Sequence, residues 1–257
     1  METVTHHDRR TAYRVEDRAD GGPTLLFVHG SGGTHEIWKS QFARLSREYP
    51  VVGLDLSGHG ESDDVETEPG PDTMAAYVAD TLAVAEAVDA RVLVGNSLGG
   101  AVVMTAVLET DPDLDGIVLA GSGAKLAVLE DLRNWLADDF DRAVAFLHGD
   151  DMLFHDPEED LLEHSRSAMR AVGQRVTRRD FLTSHHFDER DRIGQLSLPT
   201  LALTGEHDQL TPPWYHEFLA SELQTASWTT IPDAAHLSML EQPAAFNDEL
   251  REFLAGL

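Results

Sequence analysis

The stretch Arg91-Val-Leu-Val-Gly-Asn-Ser-Leu-Gly-Gly100 constrains this chain more than any other. An apolar run, Val92 to Val94, enters Gly95-Asn-Ser-Leu-Gly99, and a helix-forming run, Ala101 to Leu108, leaves it. The order predicts a strand, a sharp turn and a helix. A turn that lifts one side chain off a strand end forces neighbouring backbones together, and glycine at 95 and 99 offers no Cβ to obstruct them. Ser97 is then expected in strained backbone conformation, its Oγ exposed at the carboxyl edge of a sheet. The following helix would aim its free N–H groups at the same point.

The rest of the chain supplies that sheet. Residues 1 to 19 read as a β-hairpin with Tyr13 and Val15 in its second arm. Thr24 to Val28 is fully apolar and of strand length, as is typical of a buried parallel strand. Val51 to Leu56 reads as the next strand, followed by an acidic loop from Asp63 to Pro71. Asp72 or Thr73 is expected to cap a helix with Met74, Val78, Leu82 and Ala85 on one face. Asp111-Pro112 stops the helix after Ser97, and Gly116 to Ala120 is another buried strand. Apolar strands alternating with amphipathic helices predict an α/β fold, a mostly parallel doubly wound sheet covered on both faces.

The rhythm breaks between Lys125 and about Arg192. No apolar strand occurs there. One helical series is Leu132, Trp135, Leu136, Phe140, Val144 and Leu147; a second runs from Leu161 to Val172. We read a helical insertion of roughly seventy residues, small for an independent domain. The α/β rhythm resumes with a strand from Pro199 to Gly205, a helix near Pro213 to Ala220, and a strand from Ser227 to Ile231. A final helix carries Phe246, Leu250, Phe253 and Leu254 on one face. The expected organisation is a core of residues 1–124 and 193–257 and a helical insertion of residues 125–192.

The 257 residues include no cysteine, which excludes disulfides, thiolate metal sites and a cysteine nucleophile. No apolar run reaches membrane-span length, and the polar, acidic N-terminus lacks a signal-peptide pattern, so a cytoplasmic protein is expected. Asp and Glu number 46 against 19 Lys and Arg, a formal net charge of −27, and the only lysines are Lys39 and Lys125. An acidic, lysine-poor chain suits a high-salt medium, where such self-repulsion is screened. It does not suit nucleic acid, which needs a basic face. No glycine-rich dinucleotide motif follows a strand, and neither His185-His186 nor the acids near His155 show ligand spacing, so no cofactor and no metal are expected. Oligomeric state is not readable.

His29-Gly30, Asp55-Leu-Ser-Gly-His-Gly-Glu-Ser62, Gly95-Asn-Ser-Leu-Gly-Gly100, Gly205-Glu-His-Asp208 and Ala235-His236 occur in an order that resembles the α/β-hydrolase superfamily. The resemblance is to its serine-nucleophile branch with a helical cap after the sixth strand, and it covers residues from about 24 onward. It implies a fold in which Ser97, Asp208 and His236 meet at one sheet edge. A serine hydroxyl needs a positioned base to become nucleophilic, and an imidazole suits that task. Ser97 is the candidate nucleophile, His236 the base and Asp208 its orienting acid, with Glu206 and Asp233 as rival acids. The candidate oxyanion hole is the backbone N–H of Leu98 with that of Ser31, Gly32 being the alternate. His29 and His59 are read as structural.

A serine at the turn argues for acyl chemistry. The expected function is hydrolysis of a small carboxylic ester through an acyl-enzyme. The alternatives are C–C bond hydrolysis of a diketone-type substrate, perhydrolysis as in haloperoxidase-like relatives, and a ligand receptor built on the hydrolase fold. Gly30, Trp135, Phe140, Phe154 and Leu237 are candidate pocket residues, with Phe146, Met152 and Met169 as further apolar candidates from the insertion. Arg175, Arg178 and Arg179 form a basic cluster that either binds a substrate carboxylate or pairs with nearby acids.

Overall fold

In the computed structural model, which describes residues 1–257, the apolar runs pair into one eight-stranded sheet. The elements in chain order are β1 (Glu2–His6), β2 (Arg9–Glu16), β3 (Thr24–Val28), α1 (Lys39–Leu45), β4 (Val51–Leu54), α2 (Pro71–Ala87), β5 (Ala90–Asn96), α3 (Leu98–Thr110) and β6 (Gly116–Ala120). Next come four helices, α4 (Glu130–Asp138), α5 (Phe140–Leu147), α6 (Glu159–Val172) and α7 (Gln174–His186). Then follow β7 (Thr200–Gly205), α8 (Pro213–Glu222), β8 (Ala226–Ile231), α9 (Ser238–Glu241) and α10 (Pro243–Ala255). The strand order is β1-β2-β4-β3-β5-β6-β7-β8. The β1–β2 hairpin joins antiparallel, and all strands from β4 to β8 run parallel.

Continuous apolar strands follow from burial on both faces. Leu26 and Val28 of β3, Leu93 of β5 and Leu119 of β6 pack with α2, α3 and α8. Their neighbours Leu25, Phe27, Val92, Val94 and Val118 point the other way, to Trp38, α1 and α10. Because β3, β5, β7 and β8 are parallel, the loops bearing Ser31, Ser97, Asp208 and His236 all leave the same edge. No helix is long and apolar enough to cross a membrane.

The inserted segment is closed at its base by a bridge between Lys125 and Asp188, whose side chains form a 2.7 Å ion pair. Three local expectations are corrected. β4 ends at Leu54, because Asp55 turns inward and its carboxylate accepts from the His35 N–H at 2.9 Å. Helix α2 starts at Pro71, after Gly70 at φ 114°, and neither Asp72 nor Thr73 caps it. Thr73 Oγ1 instead donates to Glu68 O at 2.8 Å. The series Leu132 to Leu147 is broken into α4 and α5 at Asp139, whose carboxylate accepts from the Arg142 N–H.

The end of β7 leaves no room for a side chain. A Cβ at Gly205 would stand 2.2 Å from both Ala234 O and Ala235 O, backbone that carries the His236 loop. Gly205→Ala is expected to cost about 3 kcal/mol or more. The melting temperature should then fall by about 6–12 °C at this chain length. A variant that melts with the wild type would show that these loops are not locked together here.

Candidate active site

Ser97 joins β5 to α3 at φ 54°, ψ −116°. The crowding inferred from the glycines is present: a Cβ at Gly95 would lie 2.4 Å from Gly99 O, and one at Gly99 2.3 Å from Val28 O. The strained residue is held by its neighbours. Ser97 N–H donates to Ala120 O at 2.9 Å, and Ser122 Oγ donates to Ser97 O at 2.9 Å. Ser97 Oγ makes no hydrogen bond and faces a cavity of about 340 Å³ whose wall also includes His236. Such serine–imidazole hydrogen bonds commonly tighten only when substrate is bound.

Asp208 and His236 are in contact and buried, with Asp208 Oδ2 2.9 Å from His236 Nδ1. Two residues that the sequence reading missed hold the acid. Thr204 Oγ1 and Thr211 Oγ1 donate to Oδ2 at 2.7 and 2.8 Å. The N–H groups of Leu210 and Thr211 donate to Oδ1 at 2.8 and 2.9 Å. Burial pushes the Asp208 carboxyl up, but His236 and these donors outweigh it and hold it well below the usual carboxylate range. The acid therefore stays ionised and orients the ring so that Nδ1 carries the proton and Nε2 is free to accept one. The rivals Glu206 and Asp233 are exposed. The Asp-x-x-Thr pattern at 208–211, an acid that binds the backbone just after it, was the legible signal for Thr211.

Leu98 N–H, at the first position of α3, has no acceptor in the chain, and neither has Ser31 N–H. The N–H of the alternate, Gly32, is taken: it donates to Asp180 Oδ2 at 2.9 Å. Asp180, on α7, is fully buried. The same Oδ2 accepts from His59 Nε2 at 2.9 Å, and Oδ1 accepts from Tyr77 OH at 2.6 Å. Burial lowers the His59 pKa, but Asp180 overrides it and the net shift is upward. Through Asp180, α7 is tied both to His59 in the loop after β4 and to Gly32 in the loop bearing Ser31. His29 binds backbone on both sides: Nδ1 donates to Gly30 O at 2.9 Å and Nε2 accepts from Leu56 N–H at 3.1 Å. Burial, with His59 beside it, pushes its pKa down to about 4, which keeps the ring neutral.

The cavity wall includes Gly30, Leu237, Phe146, Met152 and Met169. It does not include Trp135, Phe140 or Phe154. Trp135 packs against Phe146 and under the Arg142 guanidinium, 4.4 Å from its ring centre, and Phe154 is buried beside His148. Half-buried Phe140 packs against the apolar cluster that joins the inserted helices to the sheet. Helical spacing marks an apolar stripe without saying which part meets a cavity and which meets another helix. Leu132, Phe181, Trp214 and Tyr215 are on the wall instead.

The arginine cluster lies elsewhere. Arg179 is buried and donates to Asp64 Oδ1 and Ser57 O at 2.8 and 2.9 Å, and Arg175 pairs with Asp64. With Arg178 they flank a separate cleft lined by Glu66, Glu68 and Asp72. Lys39 is the one lysine or arginine on the main cavity wall.

Comparison with known proteins agrees with this architecture. The chain is 25% identical over 265 residues to 3-oxoadipate enol-lactonase 1 of Acinetobacter baylyi, covering 95% of this chain and 92% of that one. It is 27% identical over 254 residues to the 2-hydroxy-6-oxo-6-(2'-aminophenyl)hexa-2,4-dienoic acid hydrolase of Metapseudomonas resinovorans, covering 92% and 86%. The solved structure of a thermophilic esterase superposes with a TM-score of 0.85 at 28% identity, covering 99% of this chain and 97% of that one. The sequence model of the alpha/beta hydrolase family matches residues 25–249. With that match spanning most of the chain and the sheet of that fold beneath it, the protein is an enzyme of the alpha/beta hydrolase family.

Proposed function

We propose that this hydrolase cleaves small carboxylic esters through an acyl-enzyme formed on Ser97. The observation that carries the reading is the buried Asp208–His236 pair, at 2.9 Å, whose His236 is on the wall of the cavity that Ser97 faces. His236 Nε2 takes the Ser97 proton as Oγ attacks the ester carbonyl. The developing oxyanion is met by the unpaired N–H groups of Leu98 and Ser31. His236 then protonates the leaving alkoxide, and the acyl group stays on Ser97. Water, deprotonated by His236, releases the acid and restores the serine. The segment from residue 125 to 192 serves as a cap over this edge and shapes the acyl pocket.

The arginine cluster gives no support to an acidic C–C hydrolase substrate, because it flanks a different cleft. Each methylene buried in the apolar cavity contributes about 0.8 kcal/mol of transfer energy. In a screen of p-nitrophenyl esters in molar KCl, butyrate or hexanoate is therefore expected to exceed acetate in kcat/KM. Absence of multiple turnover on every ester, with the protein folded, would refute the reading and leave a receptor role in its place.

The same reading includes adaptation to salt. The formal charge of −27 should destabilise the fold at low ionic strength. Screening tightens from about 30 Å at 0.01 M to about 3 Å at 1 M. Melting temperature is expected to rise with KCl well beyond its rise in a matched sucrose series, which isolates the solute-exclusion effect. A flat melting temperature from 0.01 M to 2 M KCl (about a fourteenfold change in screening length) would show that the acidic composition is no salt adaptation.

A further inference from the structure

An aspartate and a histidine of one loop meet a second histidine, distant in the sequence, outside the catalytic cavity. Asp151 and His155 belong to the loop after α5, and His207 to the loop that carries Asp208. Their potential ligand atoms all lie within 4.8 Å of one another. Each side chain is half-buried, so the group is defined yet open to solvent. Asp151 Oδ1 is 2.6 Å from His155 Nδ1, and the rings of His155 and His207 stack at 3.6 Å with 6° between their planes. The His207 ring has no hydrogen-bond partner in the chain.

The backbone fixes this meeting. Gln209 N–H donates to Asp151 O at 3.0 Å, and His207 N–H to Ala234 O at 2.9 Å. His155 N–H donates to Glu241 Oε1 at 2.8 Å. Asp151 itself is held at φ 60°, a left-handed conformation unusual for a residue with a side chain. The surroundings favour a cation, since Glu241 and Asp156 are the further charges acting on His155 besides Asp151.

We propose that Asp151, His155 and His207 form a binding site for one divalent transition-metal ion of the zinc type. Two imidazole nitrogens and one carboxylate oxygen are the donors that zinc, cobalt, nickel and copper prefer. Magnesium and calcium take oxygen ligands and are excluded by the same chemistry. Coordination requires the two stacked rings to turn until both lone pairs meet one ion, and water completes the shell. The ion would staple the loop after α5 to the acid-bearing loop. The loop after α5 already receives His236 N–H at Met152 O and Leu237 N–H at Leu153 O. The site is thus a clamp behind the Asp208–His236 pair, and it does not touch the cavity where substrate would bind. Local spacing around His155 concealed it, because the third donor arrives from the next loop of the sheet edge.

The test is calorimetric titration of ZnCl2 into the full chain in a non-coordinating buffer, with thermal melts alongside. One equivalent should bind, and bound zinc should raise the melting temperature, since only the folded state holds the three donors together. His207→Ala and His155→Ala should each weaken binding at least about tenfold. His207→Gln provides the same test if the alanine variant is unstable without metal. A His6→Ala/His7→Ala double variant, which removes an adjacent histidine pair beside Asp80, should bind as the wild type does. Magnesium in large excess should not compete. No saturable zinc binding, binding unchanged in both His207 variants, or binding lost with His6 and His7 would each overturn the proposal.

Discussion

Ser97→Ala is expected to lower ester turnover by about four to six orders of magnitude while leaving the fold intact. Catalysis should vanish because the cavity offers no substitute placed like Ser97. Ser31, Ser165 and Ser184 also reach the wall, but Ser31 and Ser184 face each other at 3.4 Å, Ser165 Oγ is engaged with His148 Nε2 at 3.0 Å, and none of the three sits on the strained turn. Stability should change little for two reasons. Ser97 Oγ makes no hydrogen bond, so its removal orphans no partner. Alanine carries the same Cβ, so the strain at φ 54° is unchanged. A fluorophosphonate should label the wild type once and leave the variant unlabelled. Wild-type turnover in Ser97→Ala, or labelling of another serine there, would remove Ser97 from the mechanism.

The fold was legible because burial on both sheet faces writes itself as uninterrupted apolar runs. Thr24 to Val28 and Gly116 to Ala120 could be read as central strands from that alone. The turn at Ser97 was legible because two glycines are needed where backbones approach within van der Waals distance. Asp208 stood out from forty-five other acids only through its place after a strand and ahead of His236. What stayed hidden was long-range polar pairing. Asp180 looks like any surface acid of an acidic chain, yet it is buried and holds Gly32, His59 and Tyr77. Arg179 looked like part of a solvated or substrate-binding cluster, yet it is buried against Tyr77 and Ser57. Burial of a charge leaves no periodic trace, because its partners come from elsewhere in the chain. The same holds for Trp135 and Phe140, whose apolar character fitted both a cavity wall and a helix interface.

Asp208→Asn should cost about four orders of magnitude in kcat/KM, a loss of the size known for the same change in serine protease triads. The donors around the acid give the reason. Leu210 and Thr211 direct backbone N–H groups at Oδ1, and these cannot become acceptors. The asparagine oxygen must therefore take the Oδ1 position, which puts the NH2 group where Oδ2 stood, 2.9 Å from His236 Nδ1. The hydroxyls of Thr204 and Thr211, which now donate to Oδ2, can rotate to accept from that NH2. The wrong amide orientation is thus stabilised on every side. His236 is driven to the tautomer with its proton on Nε2, where it can no longer accept from Ser97. Asp233→Asn and Glu206→Gln alter exposed side chains and should leave kcat/KM near wild type. Kinetics of the three variants at matched thermal stability decide the matter. Greater damage from Asp233→Asn than from Asp208→Asn would mean that a different carboxylate orients the base.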